Sequence, residues 1–352
     1  MLRYVLAREN GHRASEQKFT NSRRTWITAG LLLVTISALL LAPTLARALS
    51  AITSGSAPGG PGATAIWAPS TNSILGTSAT TASDVWFSGY NGIISEVYWP
   101  TADTPNTTDM QFMVGDSNHS WVDEEKAATT SSATLYDPHA LAWTVTNTAT
   151  NGKYRIVKTI YTDPARDSLI QQVTFTALTG TLANYLLYVL YKPTIHNSGM
   201  NNNSSTQTYN GTTMLVSTDS SRNYASALAA SLPYQSGMTS SGYVGVNDGW
   251  TDLKGTSNCG SSSCPDYAMN DGYSPANNGN TAQMGLFDLS NGGTVDTSTA
   301  TSLSFKLVLS FGNGATSAEQ TLAGTLGDTS NLLSTYVSQW NAFDNSLNTP
   351  PA

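Results

Sequence analysis

Charged side chains are scarce in this sequence: Asp, Glu, Lys and Arg make up 11% of its 352 residues, against roughly 25% in an average soluble domain. No basic stripe occurs after the first two dozen residues and the formal net charge is −7. This argues against a nucleic-acid partner, because binding to a phosphate backbone is driven by Lys and Arg. Histidine is also sparse. His119, His139 and His196 lie far apart without ligand spacing, so no metal site is expected, since zinc needs about four ligands. The sequence has no G-x-S-x-G, G-x-x-x-x-G-K-[ST] or H-E-x-x-H, and no G-x-G-x-x-G opening a helix. A nucleophile elbow, a phosphate loop, a zinc protease helix and a dinucleotide turn are therefore not recognisable, and no cofactor and no catalytic residue is expected. Ser, Thr, Asn and Gly fill the spaces between apolar runs. Disordered chains are poor in aromatic residues, whereas this one has 8 Trp, 16 Tyr and 8 Phe, enough for a core.

The basic stretch from Arg3 to Arg24 precedes an apolar run, Ile27 to Ala42, and an A-x-A pattern at Ala46-Arg47-Ala48. That order is the layout of a secretory signal, expected over residues 1–48. The apolar run falls short of the ~20 residues that cross a bilayer comfortably. Ser22-Arg23-Arg24-Thr25-Trp26-Ile27 fits the twin-arginine export route, with the general secretory path and an uncut N-terminal membrane anchor as the alternatives. The membrane is expected to be a partner only through this segment. Residues 49–66 are small and carry Pro58 and Pro61, which predicts an extended arm.

Short runs rich in β-branched and aromatic residues then alternate with Gly, Asn, Asp, Ser and Pro. They are Val85 to Phe87, Ile93 to Trp99, Met110 to Val114, Leu141 to Val145, Tyr154 to Tyr161 and Leu169 to Phe175. Tyr185 to Tyr191, Thr212 to Ser217, Tyr224 to Ala229, Met284 to Leu289 and Leu303 to Phe311 continue the series. Such spacing predicts an all-β sandwich or barrel over 67–313. The last run alternates with period two, Leu303, Phe305, Leu307, Leu309 and Phe311 against Ser304, Lys306 and Ser310, the pattern of a half-buried strand. Asn201 to Thr208 and Gly255 to Asn280 are rich in turn formers and read as mobile surface excursions. Over 314–352 the period changes. Thr316-x-x-Glu319 predicts a capping box, and Leu332, Tyr336, Trp340, Phe343 and Leu347, with Leu333 and Val337, predict an amphipathic helix. This tail either packs back on the sandwich or links to a further domain.

Cys259 and Cys264 enclose a short loop in the exported part. An oxidising compartment allows them to pair, which would contribute roughly 2 kcal/mol; zinc is the rival reading. Paired carboxylates could serve glycoside cleavage. Asp123-Glu124-Glu125, Asp163 with Asp167, Asp248 with Asp252, and Asp266 with Asp271 are present, but clustered acids in Ser- and Gly-rich stretches are usually solvated turns. The segment Tyr243-Val244-Gly245-Val246-Asn247-Asp248-Gly249-Trp250 sets aromatic rings beside Asn and Asp. Rings stack on the CH faces of sugars and amides bond their hydroxyls. Tyr243, Asn247, Asp248 and Trp250 are therefore the candidates for carbohydrate contact, against a plain packing role.

Several motifs together resemble the N-terminal domain of bacterial glucodextranases and glucoamylases. They are Ala57-Pro58-Gly59-Gly60-Pro61-Gly62, Trp67-Ala68-Pro69, Gly76-Thr77-Ser78 and Val85-Trp86-Phe87. Gly92 through Trp99-Pro100, Asp103, Asn106 and Asp109-Met110-Gln111-Phe112 continue the likeness, as do Gly245 through Leu253 and the closing Tyr336-Val337-x-x-Trp340. The resemblance implies a large antiparallel sandwich, similar to the galactose mutarotase-like supersandwich, joined by helices to a catalytic α/α-toroid of glycoside hydrolase family fifteen. In that family the catalytic glutamates sit in the toroid, and the sequence stops where a toroid would begin. The expectation is an exported, non-catalytic domain that supports an absent or separate toroid, with weak contact to α-glucan as a further expected role; the alternative is a stand-alone carbohydrate-binding module. An enzyme with a mutarotase-like site is a third reading, against which the sparse histidines count.

Overall fold

The computed structural model describes residues 53–67, 71–255 and 265–347. The segment 1–48 expected to be an export signal and the Cys259 to Cys264 loop lie outside these residues. In chain order the strands are β1 (Thr53–Gly55), β2 (Ile74–Thr77), β3 (Trp86–Tyr90), β4 (Ile93–Tyr98), β5 (Thr107–Asp116) and β6 (Val122–Glu124). One helical turn, α1 (Glu125–Ala128), precedes β7 (Thr129–Asp137), β8 (Ala140–Ala149), β9 (Tyr154–Thr162), β10 (Ser168–Ala177) and β11 (Tyr185–Pro193). Then come β12 (Asn202–Tyr209), β13 (Thr212–Asp219), β14 (Ala225–Ala230), β15 (Tyr234–Tyr243) and helix α2 (Gly249–Lys254). The remainder is β16 (Asp271–Tyr273), β17 (Ala276–Gly279), β18 (Thr281–Phe287), β19 (Ser302–Gly312), α3 (Ala315–Gly327) and α4 (Leu332–Ser346).

Two antiparallel sheets face one another. Nine strands run β17-β12-β13-β14-β19-β10-β9-β8-β7, and the opposing sheet runs β15-β18-β11-β5-β4-β3-β2 with β6 added beside β5. Between them lies the main core, with Phe87, Phe112, Tyr154, Phe175, Leu187, Phe287, Leu309 and Phe311 among its members. Each such side chain contributes roughly 1.5–3 kcal/mol by leaving water. Every β-branched and aromatic run named between Val85 and Phe311 overlaps a strand. This is the all-β antiparallel sandwich with C-terminal helices that the spacing predicts.

Three expectations are corrected. Asn201 to Thr208 is not a surface excursion: it forms β12, with Asn202 and Ser204 buried. The inward positions of β12 are polar because they meet hydroxyls from the other sheet. Ser204 Oγ lies 2.6 Å from Thr281 Oγ1, Ser217 Oγ donates to Gln283 Oε1 at 2.8 Å, and Gln283 Nε2 donates to Ser241 Oγ at 3.0 Å. A strand whose buried face is hydrogen-bonded carries no apolar period. The later part of Gly255 to Asn280 likewise contains β16 and β17, with Asp271 and Ala276 buried.

The second correction concerns β19: its outward Ser304 is exposed as the alternation predicts, but the outward face of the strand's second half is covered rather than solvated. Val308 and Ser310 are fully buried under α3, and Ser310 Oγ pairs with Ser168 Oγ, which in turn meets Thr325 Oγ1 of the helix. Thirdly, no capping box forms at Thr316. Helix α3 begins at Ala315 after Gly314 without a side-chain cap, and Glu319 turns inward. The tail packs back on its own sheet. Ala318, Leu322, Leu332, Leu333 and Tyr336 join Tyr161, Ile170, Met214 and Val308 in a second apolar cluster.

Candidate functional site

Strand β15 ends at Tyr243, whose carbonyl accepts from the amides of Val246, Asn247 and Asp248 at 3.0–3.1 Å. This tight turn delivers Asp248 to the N-cap of α2. Its Oδ1 accepts from the amides of Trp250 and Thr251, and its Oδ2 from the Gly245 amide and the Thr251 hydroxyl, which satisfies donors a helix start leaves open. Asn247 accepts from the Tyr243 amide and donates to the Pro58 carbonyl at 2.9 Å. The Tyr243 hydroxyl donates to the Asn277 carbonyl and accepts from its amide. The Tyr243 ring lies so close under Gly60 that a Cβ there would come within 2.8 Å of it, so only glycine lets the backbone pass. Asn280 completes the fastening by donating to the Ala63 carbonyl at 2.8 Å. Tyr243, Asn247 and Asn280 thus strap segment 53–66 across the edge of the eight-stranded sheet, where β1 also pairs in parallel with β16, while Asp248 holds the turn that presents them.

Trp250 is the member of the four whose side chain reaches furthest toward solvent. It is half-buried, packs on the outer cluster of Met113, Tyr188, Leu253, Met269 and Met284, and carries the Lys254 ammonium 4.6 Å above its ring. Beneath it, Asp252 accepts from the amides of Asn270 and Asp271 at 2.8 and 2.9 Å. Asp266 holds the Asn270 side-chain amide at 2.7 Å. Asp252, Asp266 and Asp271 therefore meet at one place, while the Asp248 carboxylate stays at the N-cap of α2. Burial, and then the charges of Asp271 and Asp266, push the Asp252 carboxyl up to about 7. The buried Tyr188 hydroxyl has no hydrogen-bond partner. The cluster offers one carboxyl that titrates near neutrality, a property enriched at functional sites. Its bound oxygen is committed to fastening residues 270–271 to α2.

The other acids have structural partners. Asp123 accepts from Asn151, Glu124 from Gln111 and Lys126, Asp163 from Arg166 and Thr325, and Asp167 from the Asp84 amide. Glu125 is fully buried against Lys158. The sequence reading passed over Lys158, although a lysine between Ile156 and Ile160 on an alternating strand is a visible signal. Among the described residues no three His, Cys, Asp or Glu side chains are grouped to hold a metal. A cavity of about 190 Å³ opens between the β13 and β15 entry turns, lined by Thr212, Leu232 and Tyr234. It is below the ~300 Å³ of an ordinary small-molecule site.

Residues 57–345 match the family described as glucodextranase, domain N. A glucoamylase of Clostridium sp. (strain G0005) is 34% identical over 294 residues, 83% of this chain and 38% of that protein. Among solved structures, a bacterial glucoamylase crystallised with acarbose superposes with a TM-score of 0.73 at 34% identity, over 83% of this chain and 40% of the other. The chain thus spans about two fifths of the length of these relatives. Its ordered motifs and its two-sheet sandwich sealed by terminal helices agree with a match over most of its length: the chain belongs to the glucodextranase N-domain family.

Proposed function

We propose that this chain is the exported, non-catalytic N-terminal domain of a glucan-hydrolysing enzyme of the glucoamylase or glucodextranase type, and that it supports the catalytic toroid of such an enzyme. The carrying observation is the family match over 57–345. The paired acids of the sequence are committed to amides, hydroxyls and ion pairs, which favours a scaffold. Phe343 in the last turn of α4 and Leu347 just after the helix are 44% and 57% exposed, and Tyr136 and Leu135 are exposed on β7. These residues suit an apolar neighbour. The test mixes the purified chain with a family toroid. Binding, with a gain in glucose release from starch or dextran over the toroid alone, supports the reading. Glucose release by this chain alone overturns it.

A second reading, contact with α-glucan, rests on the half-exposed Trp250 ring. Calorimetric titration with malto- and isomalto-oligosaccharides gives saturable heat, lost in Trp250→Ala, if that ring is a sugar platform. Export predicts that the mature chain begins near Leu49, read by N-terminal mass spectrometry of secreted protein. A chain still starting at Met1 in the medium would count against cleavage.

A further inference from the structure

We propose that Lys158 and Asn147 form an intramolecular amide cross-link between β9 and β8 in the sandwich interior, promoted by Glu125. Residues Tyr154, Ile156 and Ile160 of β9 point between the sheets, and Lys158 shares their face. It is 1% exposed, and its Nζ donates to Glu125 Oε1 and to the Gly92 carbonyl, both at 2.5 Å. Glu125 is fully buried, and its other oxygen accepts from the Phe112 amide at 2.9 Å. On β8, Val145 stands opposite Lys158 and Asn147 opposite Ile156. Asn147 is therefore the diagonal neighbour of Lys158 on the same face, a spacing that a long side chain spans.

Both side chains converge on Gly92. Its carbonyl receives the ammonium, and a Cβ on it would stand 2.7 Å from Asn147 Cγ. Asn147 Nδ2 donates to Thr129 Oγ1, which donates to the Glu125 carbonyl, while Asn147 Oδ1 is buried without a partner. An orphaned acceptor beside a fully buried ion pair is a costly arrangement for stability alone. The nucleophile and the proton carrier are in direct contact, and the electrophile is their neighbour through Gly92 and Thr129; in an apolar interior such proximity substitutes for concentration.

The step balances without a co-reactant. Lys158 passes a proton to Glu125, and the free amine attacks Asn147 Cγ. Glu125 returns that proton to Nδ2 as the Cγ–Nδ2 bond breaks and ammonia departs, then takes the second proton from the new amide nitrogen and ends as the neutral acid. One amide replaces another, nothing is oxidised, and the ion pair disappears. Burial raises the Glu125 carboxyl above the usual range, which makes its acid form accessible.

Mass spectrometry of the purified full chain tests this. The expected result is a chain lighter by one ammonia. In its tryptic digest the peptide ending at Lys153 is joined to one beginning at Ile156, without cleavage after Lys158. Locating the link is essential, because the Asn91-Gly92 and Asn210-Gly211 pairs can also lose ammonia by cyclising. Glu125→Gln and Lys158→Met are expected to show no joined peptide. Free cleavage after Lys158 in the unaltered chain overturns the proposal, whether or not the variants fold. A link that persists in Glu125→Gln overturns the role of Glu125.

Discussion

The two outer faces of the sandwich are both covered, but by opposite means. The nine-stranded sheet lies under two helices whose apolar residues interlock with it, and the charges at their junction are neutralised in place. Arg166 bridges Asp163 and Asp328 at 3.1 and 3.0 Å. Lys306 donates to the carbonyls of Thr325 and Asp328, satisfying the end of α3 where a cation also suits the helix dipole. The eight-stranded sheet lies under a helix of six residues and a fastened loop, and there Asp252, Asp266 and Asp271 crowd together. One cover is held by burial and balanced charge; the other is held by hydrogen bonds to carboxylates that repel one another. The two should therefore respond differently to truncation and to pH.

The largest effect is expected on the helical side. Tyr336 is fully buried and its hydroxyl donates to the Thr77 carbonyl at 2.6 Å, so Tyr336→Ala should cost about 4 kcal/mol, measured by urea unfolding. A loss below about 1 kcal/mol would mean that the helices merely rest on the sheet. Next is the pH response of the loop side. A carboxyl raised to about 7 when folded and near 4 when unfolded binds its proton more tightly in the native state. Its stabilisation is full below about pH 4, falls as pH rises, and is gone above about 7. The change is up to about 4 kcal/mol. Asp123, Glu125 and Glu319, also raised by burial, act in the same direction. Asp252→Asn isolates one share: it should flatten the slope and raise stability at pH 8, and an unchanged slope would remove Asp252 from the account.

Asp248→Ala should cost about 1.5 kcal/mol through the lost cap of α2 and should raise hydrogen exchange at the Trp250 and Thr251 amides. Equal loss of protection throughout β19 would mean that the cap is not local. The smallest effect belongs to Asp328. Its carboxyl is held down to about 2, first by hydrogen bonds from Ser330 and then by Arg166. Its stabilisation is present above about pH 4 and lost as pH falls toward 2. Asp328→Asn should make the acid limb of the unfolding curve shallower, opposite in sign to Asp252→Asn. The same sign for both would end the contrast between the two faces.

Strands whose buried positions are apolar were legible, Leu303 to Phe311 most clearly, because a two-residue period records which side faces the core. Strand β12 was not, because Asn202 and Ser204 are buried against hydroxyls rather than hydrocarbon. The helical tail was read from Leu332, Leu333 and Tyr336, although its start was misplaced onto Thr316. In the candidate site, sequence brought Tyr243, Asn247, Asp248 and Trp250 together because they are neighbours in the chain. That Asn247 reaches Pro58, 189 residues away, left no local trace. The interior trio of Lys158, Glu125 and Asn147 was half visible: a polar residue on an inward strand position is a signal, but its partners come from other elements.

By itself the sequence determined that this chain is a many-stranded sandwich with an amphipathic helical end, and its ordered motifs determined the family. Alternation and spacing are local properties, and they survive without knowledge of the partners. Only the tertiary structure decided that both outer faces carry a cover, that segment 53–66 is strapped to β15, and that Asp252, Asp266 and Asp271 crowd together beside α2. Those outcomes depend on which surfaces meet when the chain closes. Burial then sets the charge and hydrogen bonding of each group, and no single segment encodes that.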